Sequence, residues 1–513
     1  MNSIGQTFKS KSMTATTLKE EQYSEVSGRT TKRLLLDPDS NPQLALWLKI
    51  AACVLIPILV LLIPQGYIPI EGMTIIQQRV LAIFVMATLL WILEPVPIYA
   101  TSVLIVTMLL MLTSDKALIF MKMDEGPIFG ALLPYKDILS TFASPIIMLF
   151  LGGFFLAMAA TKYQLDQNLA RVLLKPFGKK PSHVMLGLML ITALFSMFMS
   201  NTATTVMMLA ILTPVLASLP AKEKGRLGFV LAIPIAANTG GIGTPIGTPP
   251  NAIAMKYLTG ENAISFGHWM AFAVPFVMII LLASWFILQK FYPCKKEEIT
   301  INIKGAFDKS PKAITVYVTF VVTILLWLLG GLHGMNAYVV AIIPVAVFTL
   351  TNIITKDDLK RISWDVLWLV TGGIAIGMAL EKSGLASAAV ASIPFASFSP
   401  YVVILSAAVL SIVMANFMSN TATANLLMPI VVALAISMES LIPYGGLKAI
   451  MVCVTFASSL GMALPISTPP NALAHATGVI QTKDLIRTGV LVGMMGLILT
   501  FILVYLMNSL NWL

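Results

Sequence analysis

Phe198-Met199-Ser200-Asn201-Thr202-Ala203-Thr204 returns unchanged, 219 positions later, as Phe417-Met418-Ser419-Asn420-Thr421-Ala422-Thr423. Working outward, Pro245-Ile246-Gly247-Thr248-Pro249-Pro250-Asn251-Ala252 comes back at a shift of 220 as Pro465-Ile466-Ser467-Thr468-Pro469-Pro470-Asn471-Ala472. The same shift carries Gly152-Gly153 and Met158-Ala159 onto Gly372-Gly373 and Met378-Ala379. Three blocks in one order at nearly one spacing mark a duplicated chain.

The solvent of that chain is lipid. Of 513 residues, 58% are apolar and only 11% charged, and the mean hydropathy is +0.88. Apolar runs long enough to cross a bilayer of roughly 30 Å recur along almost the whole length. Read against Pro, Gly and charge, they predict eleven crossings near 44–64, 79–94, 97–113, 141–161, 228–256, 269–290, 313–331, 337–355, 365–381, 449–476 and 488–510. Two further runs, 183–219 and 396–436, carry the Ser-Asn-Thr interruption at their middle and are read as re-entrant hairpins. The expected fold is an all-α polytopic membrane protein, about eleven transmembrane helices plus two hairpins. A polar tail spans 1–43 and a first extra helix and loop 44–78. The first repeat is 79–290, with hairpin 183–219 and broken helix 228–256. The second is 313–513, with hairpin 396–436 and broken helix 449–476. Each repeat then holds five crossings, an odd number, so the second lies inverted relative to the first.

The charges fit this layout. With the N-terminus inside, most of the 33 Lys and Arg fall on cytoplasmic segments, among them Lys175, Lys179, Lys180, Lys222, Lys224, Arg226, Lys295 and Lys296. An odd number of crossings places the C-terminus outside, and the expected location is a plasma or bacterial inner membrane. The net charge of +10 is spread over short loops instead of gathered on one face, so no nucleic-acid partner is expected. The tail has no apolar stretch of its own and reads as a disordered cytoplasmic segment, not a signal peptide. Cys53, Cys294 and Cys453 are too far apart in sequence to suggest a disulfide framework or a metal cluster.

Ser-Asn-Thr is a good helix start, because a short side-chain oxygen accepts from a backbone N–H one turn on. Two such starts point exposed N–H groups and positive helix ends inward from the two repeats, which suits an anion with two charged ends. No Lys, Arg, Asp or Glu occurs in 184–219, 229–254, 400–438 or 452–474. A dianion held there without fixed cations needs mobile ones, and sodium prefers oxygen ligands such as those of Ser196, Ser200 and Asn201. Pro249-Pro250 and Pro469-Pro470 lack N–H groups, so they free carbonyls of the preceding turn, at Pro245 and Ile246 and at Pro465 and Ile466. Asn251 and Asn471 either brace these breaks or touch a ligand. Glu94 reads as a span boundary and His475, matched by Met255, as a packed or solvated histidine.

These motifs, with Trp91-Ile92-Leu93-Glu94-Pro95-Val96-Pro97 and the following Thr101, resemble the divalent anion:sodium symporter family of carboxylate and sulfate transporters from about residue 44 onward. The resemblance implies a homodimer whose protomers each pair a scaffold with a mobile transport unit, moving substrate in an elevator-like way. It implies a first sodium site on Ser196, Ser200, Asn201 and Gly243, and a second on Ala415, Met418, Asn420 and Ala463. It implies substrate contacts from Ser200, Asn201, Thr202, Thr244, Ser419, Asn420, Thr421 and Pro465. The repeats are unequal here: Ser196 is matched by Ala415, Gly243 by Ala463 and Thr244 by Leu464, so the second sodium site relies mainly on backbone carbonyls.

The function expected is sodium symport of C4-dicarboxylates (succinate, fumarate, malate), with sodium as coupling ion and no cofactor. Sodium-independent dicarboxylate exchange and sulfate or tricarboxylate transport stay open within the class, and a substrate competition panel separates them. An anion channel is the reading from another class, marked by currents that do not saturate. An enzyme is not expected, because the hairpins offer no acid/base pair, no His cluster for a metal and no nucleophile with its base.

Overall fold

The computed structural model describes residues 42–122, 128–299, 306–392, 398–510 and 512. The polar tail expected over 1–43 lies almost wholly outside the described residues, as do the start of the run 396–436 and part of the basic loop around Lys304. Contacts divide the chain into Met1–Leu48 and Lys49–Leu513. Of the first, only the opening turns of one helix are described; the second holds everything below.

Among the described residues the chain is helical, with a single isolated bridge between Ser114 and Leu133. The helices that matter in the first half are α1 (Pro42–Leu62), α2 (Ile75–Leu93), α3 (Ile98–Leu112), α4 (Tyr135–Ser140), α5 (Pro145–Lys162), α6 (Leu165–Leu174), α7 (Pro181–Ser196), α8 (Asn201–Ser218), α9 (Gly225–Gly241), α10 (Pro249–Tyr257) and α11 (Phe266–Phe291). The second half follows with α12 (Pro311–Leu328), α13 (Ala337–Val340), α14 (Ile342–Leu350), α15 (Lys356–Leu359), α16 (Trp364–Lys382), α17 (Leu385–Ala391), α18 (Pro400–Phe417), α19 (Asn420–Ser437), α20 (Gly446–Ser459), α21 (Pro469–Ala476) and α22 (Thr482–Ser509). Nine helical stretches among the described residues are long and apolar enough to cross a membrane. These include both helices of the second interrupted run, α18 and α19, whereas α7 and α8 of the first fall among the shorter apolar helices.

The expected interruptions are where the helices stop. The run 183–219 divides at 197–200 into α7 and α8, and 396–436 divides at 418–419 into α18 and α19. The crossings 228–256 and 449–476 divide into α9 with α10 and α20 with α21. In both, Pro-Pro occupies the first turn of the second segment, where a missing N–H costs nothing and the fixed φ favours the helix. The break itself comes earlier, at Gly241 and Ser459. Glu94 sits at the C-cap of α2 in the left-handed region (φ 45°), a boundary role as expected, and His475 Nε2 lies 3.3 Å from the Thr482 hydroxyl.

Two ion pairs tie the halves together reciprocally. Lys162, the last residue of α5, reaches Asp358 of α15 at 2.5 Å, and Lys382, the last of α16, reaches Asp137 of α4 at 2.5 Å. Helix α15 leads into α16 and α4 leads into α5. The end of each long helix therefore meets the approach to the other, so α5 and α16, which pack together, run antiparallel. Lys162 and Lys382 are themselves 220 positions apart.

At Asp358 burial opposes ionisation, but hydrogen bonds from Lys162 and from the Thr355 backbone and hydroxyl outweigh it and hold the carboxyl down at about 2. A depressed folded-state pKa stabilises the fold above the usual carboxylate range and loses that contribution as pH falls toward 2. The melting temperature in detergent is therefore expected to fall between pH 5 and pH 3, and to fall less in Asp358→Asn; equal losses in the two proteins would contradict this account.

Candidate functional site

Each half builds the same tip from local rules. Ser200 (φ −63°, ψ 139°) caps α8 by accepting from Ala203 N–H at 3.1 Å, and Ser419 (φ −66°, ψ 144°) caps α19 from Ala422 N–H at 3.1 Å. Asn201 and Asn420 open the two helices. Thr248 and Thr468 precede α10 and α21 with nearly the same extended backbone (φ −147° and −143°). Thr202 is partly buried and Thr421 buried.

The first half gathers oxygens. The Ser196 hydroxyl lies 2.6 Å from Asn201 Oδ1 and 2.7 Å from the Ala237 carbonyl. One hydroxyl carries one proton, so two acceptors compete for it and lone pairs are in excess. Such a cluster, with Ser196 buried and Asn201 partly buried, is chemically suited to a hard metal ion. Asn201 packs against Gly241, where an added Cβ would stand 2.8 Å from Asn201 Oδ1. Gly243 lies under Met197 in the same way. The Thr244 hydroxyl is committed to the Met197 carbonyl.

In the second half the polar groups have changed places. Ala415 supplies no hydroxyl, and Asn420 Oδ1 is buried without a hydrogen-bond partner. Asn416, matched by Met197 in the first half, accepts from Ala463 N–H at 2.7 Å. Where Thr244 holds the carbonyl of the first turn, Leu464 has no hydroxyl, and Ser467 instead donates to the Asn416 carbonyl at 2.9 Å. Met418 and Pro465 are buried.

The two asparagines after Pro-Pro brace their breaks. Asn251 Nδ2 faces the carbonyls of Gly241 (3.1 Å), Ile242 (3.1 Å) and Thr244 (2.7 Å). Asn471 Nδ2 faces those of Met462 (2.7 Å) and Leu464 (3.0 Å). The carbonyls of Pro245, Ile246, Pro465 and Ile466, which the prolines free, are not among those the two asparagines serve. The carbonyls that are served lie between the helix end and the prolines: α9 ends at Gly241 and α20 at Ser459, and Ile242, Thr244, Met462 and Leu464 all follow.

The halves interlock around these tips. Helix α10 of the first half packs on α19 and α20 of the second, and α21 of the second packs on α8 and α9 of the first. Asn238 on α9 donates to Thr468 Oγ1 at 3.0 Å and to Asn471 Oδ1 at 3.2 Å. Asn238, Asn416 and Ser467 escaped the motif reading. Asn238 and Asn416 fall just outside the repeated blocks, and Ser467 replaces a glycine within one; that departure from the repeat was the signal available.

The chain is 30% identical over 427 residues to the sodium-dependent high-affinity dicarboxylate transporter 3 of Caenorhabditis elegans, covering 71% of this chain and 74% of the relative. It is 31% identical over 406 residues to an uncharacterized transporter of Schizosaccharomyces pombe, covering 78% of this chain but 45% of that longer protein. The crystal structure of the Alcanivorax borkumensis YdaH transporter shares the fold, with a TM-score of 0.53 at 14% identity over 85% of this chain and 99% of that one. Residues 44–513 match the family described as the sodium:sulfate symporter transmembrane region, and the chain belongs to that family of multi-pass membrane transporters, which are not enzymes.

Proposed function

We propose that this chain carries C4-dicarboxylates such as succinate, fumarate and malate across a cell membrane together with sodium, by an elevator-like alternation of two units within each protomer of a homodimer. The observation that carries the reading is the oxygen cluster of Ser196, Asn201 and Ala237 beside a capped helix start. It offers a cation seat next to N–H groups that suit an anion, in a region free of fixed charge. The first sodium sits on Ser196, Ser200, Asn201 and Gly243. The second sits on Ala415, Met418, Asn420 and Ala463, where the unpartnered Asn420 Oδ1 supports a cation. The substrate meets Ser200, Asn201, Thr202, Thr244, Ser419, Asn420, Thr421 and Pro465.

The boundaries 79–290 and 313–513 are the two inverted repeats, with 183–219 and 396–436 as re-entrant hairpins; the antiparallel pairing of α5 and α16 supports the inversion. The N-terminus lies in the cytoplasm and the C-terminus outside. The name of the C. elegans relative supports both sodium and dicarboxylate. Accumulating a dianion against an inside-negative potential requires more than two sodium ions per substrate, each net charge being worth about 2.3 kcal/mol per 100 mV.

The test is uptake of labelled succinate into proteoliposomes, in an inward sodium gradient against potassium, with empty vesicles and with vesicles preloaded with dicarboxylate. Sodium-dependent accumulation in empty vesicles is expected. Uptake confined to preloaded vesicles and indifferent to sodium would make the protein an exchanger. Competition by sulfate, phosphate or citrate in place of malate would move the substrate class.

A further inference from the structure

We infer that Asn238 is a positioning residue that couples the first-half sodium seat to the second-half break, so that sodium bound at Ser196 and Asn201 orders the tip formed by Thr468 and Asn471. The inference rests on the sodium-coupled reading above.

The bonds run in one direction. Asn238 is 2% exposed and spends both amide hydrogens across the halves, on Thr468 Oγ1 and Asn471 Oδ1. Those two acceptors are the ones that shape the second break. Thr468 Oγ1 also accepts from Asn471 N–H at 3.3 Å, and Asn471 Nδ2 holds the carbonyls of Met462 and Leu464. With its Oδ1 fixed by Asn238, the Asn471 amide is pinned with Nδ2 toward those carbonyls. On the other side, Asn238 directly follows Ala237, whose carbonyl is one of the three oxygens of the first cluster. A cation drawn to that carbonyl fixes the last turns of α9, and Asn238 is the side chain there that leaves its own half.

The repeat supplies the internal control. The counterpart of Asn238 is Ser458, which turns back to the Val454 carbonyl at 2.7 Å and to Ser411 at 2.7 Å. It does not reach Asn251, whose Oδ1 is buried without a partner. Among the described residues no second-half side chain hydrogen-bonds Asn251 as Asn238 does Asn471, and the cross-half bond of α10 comes later, from Lys256 to the Ile374 carbonyl at 3.1 Å. An ion-dependent tip and a side-chain-braced tip are joined at a single residue.

The experiment measures the half-saturating concentration of succinate at low and at saturating sodium, for wild type, Asn238→Ala, Asn238→Ser, Thr468→Val and the double variant Asn238→Ala/Thr468→Val. Succinate-induced thermal stabilisation in sodium and in potassium is read alongside. In wild type sodium lowers the half-saturation value. In Asn238→Ala and Asn238→Ser that lowering shrinks by about 5- to 10-fold, the size of coupling that one or two buried hydrogen bonds carry. The double variant is no worse than the singles, because both remove the same link. Asn238→Ser and Thr468→Val carry the test if the alanine variant does not fold. Variants that keep the full sodium effect and lose only maximal rate or stability overturn the inference and leave the sodium reading standing. A wild type without any sodium effect overturns both.

Discussion

Asn201→Ala is expected to raise the sodium concentration that half-saturates uptake by about 30- to 100-fold, the equivalent of roughly 2–3 kcal/mol for a lost charge-assisted oxygen contact. Asn201 Oδ1 is the acceptor that the Ser196 hydroxyl approaches at 2.6 Å, and among the described residues it is the one side-chain oxygen bonded to that hydroxyl. Gly241 packs against the same oxygen, where an added Cβ would stand 2.8 Å away. Ser196→Ala is expected to do less, about 10-fold by the same reasoning, because it reproduces the arrangement that the second half already has at Ala415 and leaves the asparagine oxygen and the Ala237 carbonyl in place. Both are measured as initial uptake of labelled succinate against sodium, with potassium replacing it at constant ionic strength. Wild-type sodium dependence in Asn201→Ala would remove the first sodium site from this cluster.

Gly240→Val is expected to destroy the fold in detergent. Helices α7 and α9 approach so closely that a Cβ at position 240 would stand 2.6 Å from the Ala193 carbonyl oxygen and closer still to its Cα. Both obstacles are backbone, so no rotamer change relieves them and the helices must part. Overpacking of this kind costs roughly 3 kcal/mol or more, at the upper end of what cores show, and it falls at the turn of α9 that also carries Ala237 and Asn238. Loss of the monodisperse peak in size-exclusion chromatography is the expected readout. Gly331→Ala is the control, since nothing lies within 4 Å of the Cβ it would add. Similar elution of both variants would show that the approach of α7 and α9 is not needed for folding.

The counterpart of Gly240 is Leu460, and this substitution shows the limit of reading one repeat from the other. In the second half the close approach has moved one residue on, to Gly461 against Ala415. The hydroxyl that ties each break to its turn has moved as well, from Thr244 to Ser467. Side chains at equivalent positions diverged while each half kept a solution to the same packing problem.

What the amino-acid sequence settled was whatever depends on separations of a few residues and on the choice of solvent. Ser200 and Ser419 cap helices because their oxygens reach an N–H three residues on, and Pro249 and Pro469 start helices because their φ is fixed and their missing N–H is not needed there. Long charge-free apolar runs can satisfy their backbone in lipid only as helices. The site residues came from the resemblance those motifs carry, and in the first half the structure brings Ser196, Asn201, Gly243 and Thr244 around one turn. What tertiary structure alone decided is which groups meet across the halves: Lys162 with Asp358, Lys382 with Asp137, and Asn238 with Thr468 and Asn471. Those partners are far apart in the chain, and their geometry depends on how whole helices pack against one another. No local preference relates the residues at the two ends of such a bond, so the motifs locate the two tips but only the packed helices fix the links between them.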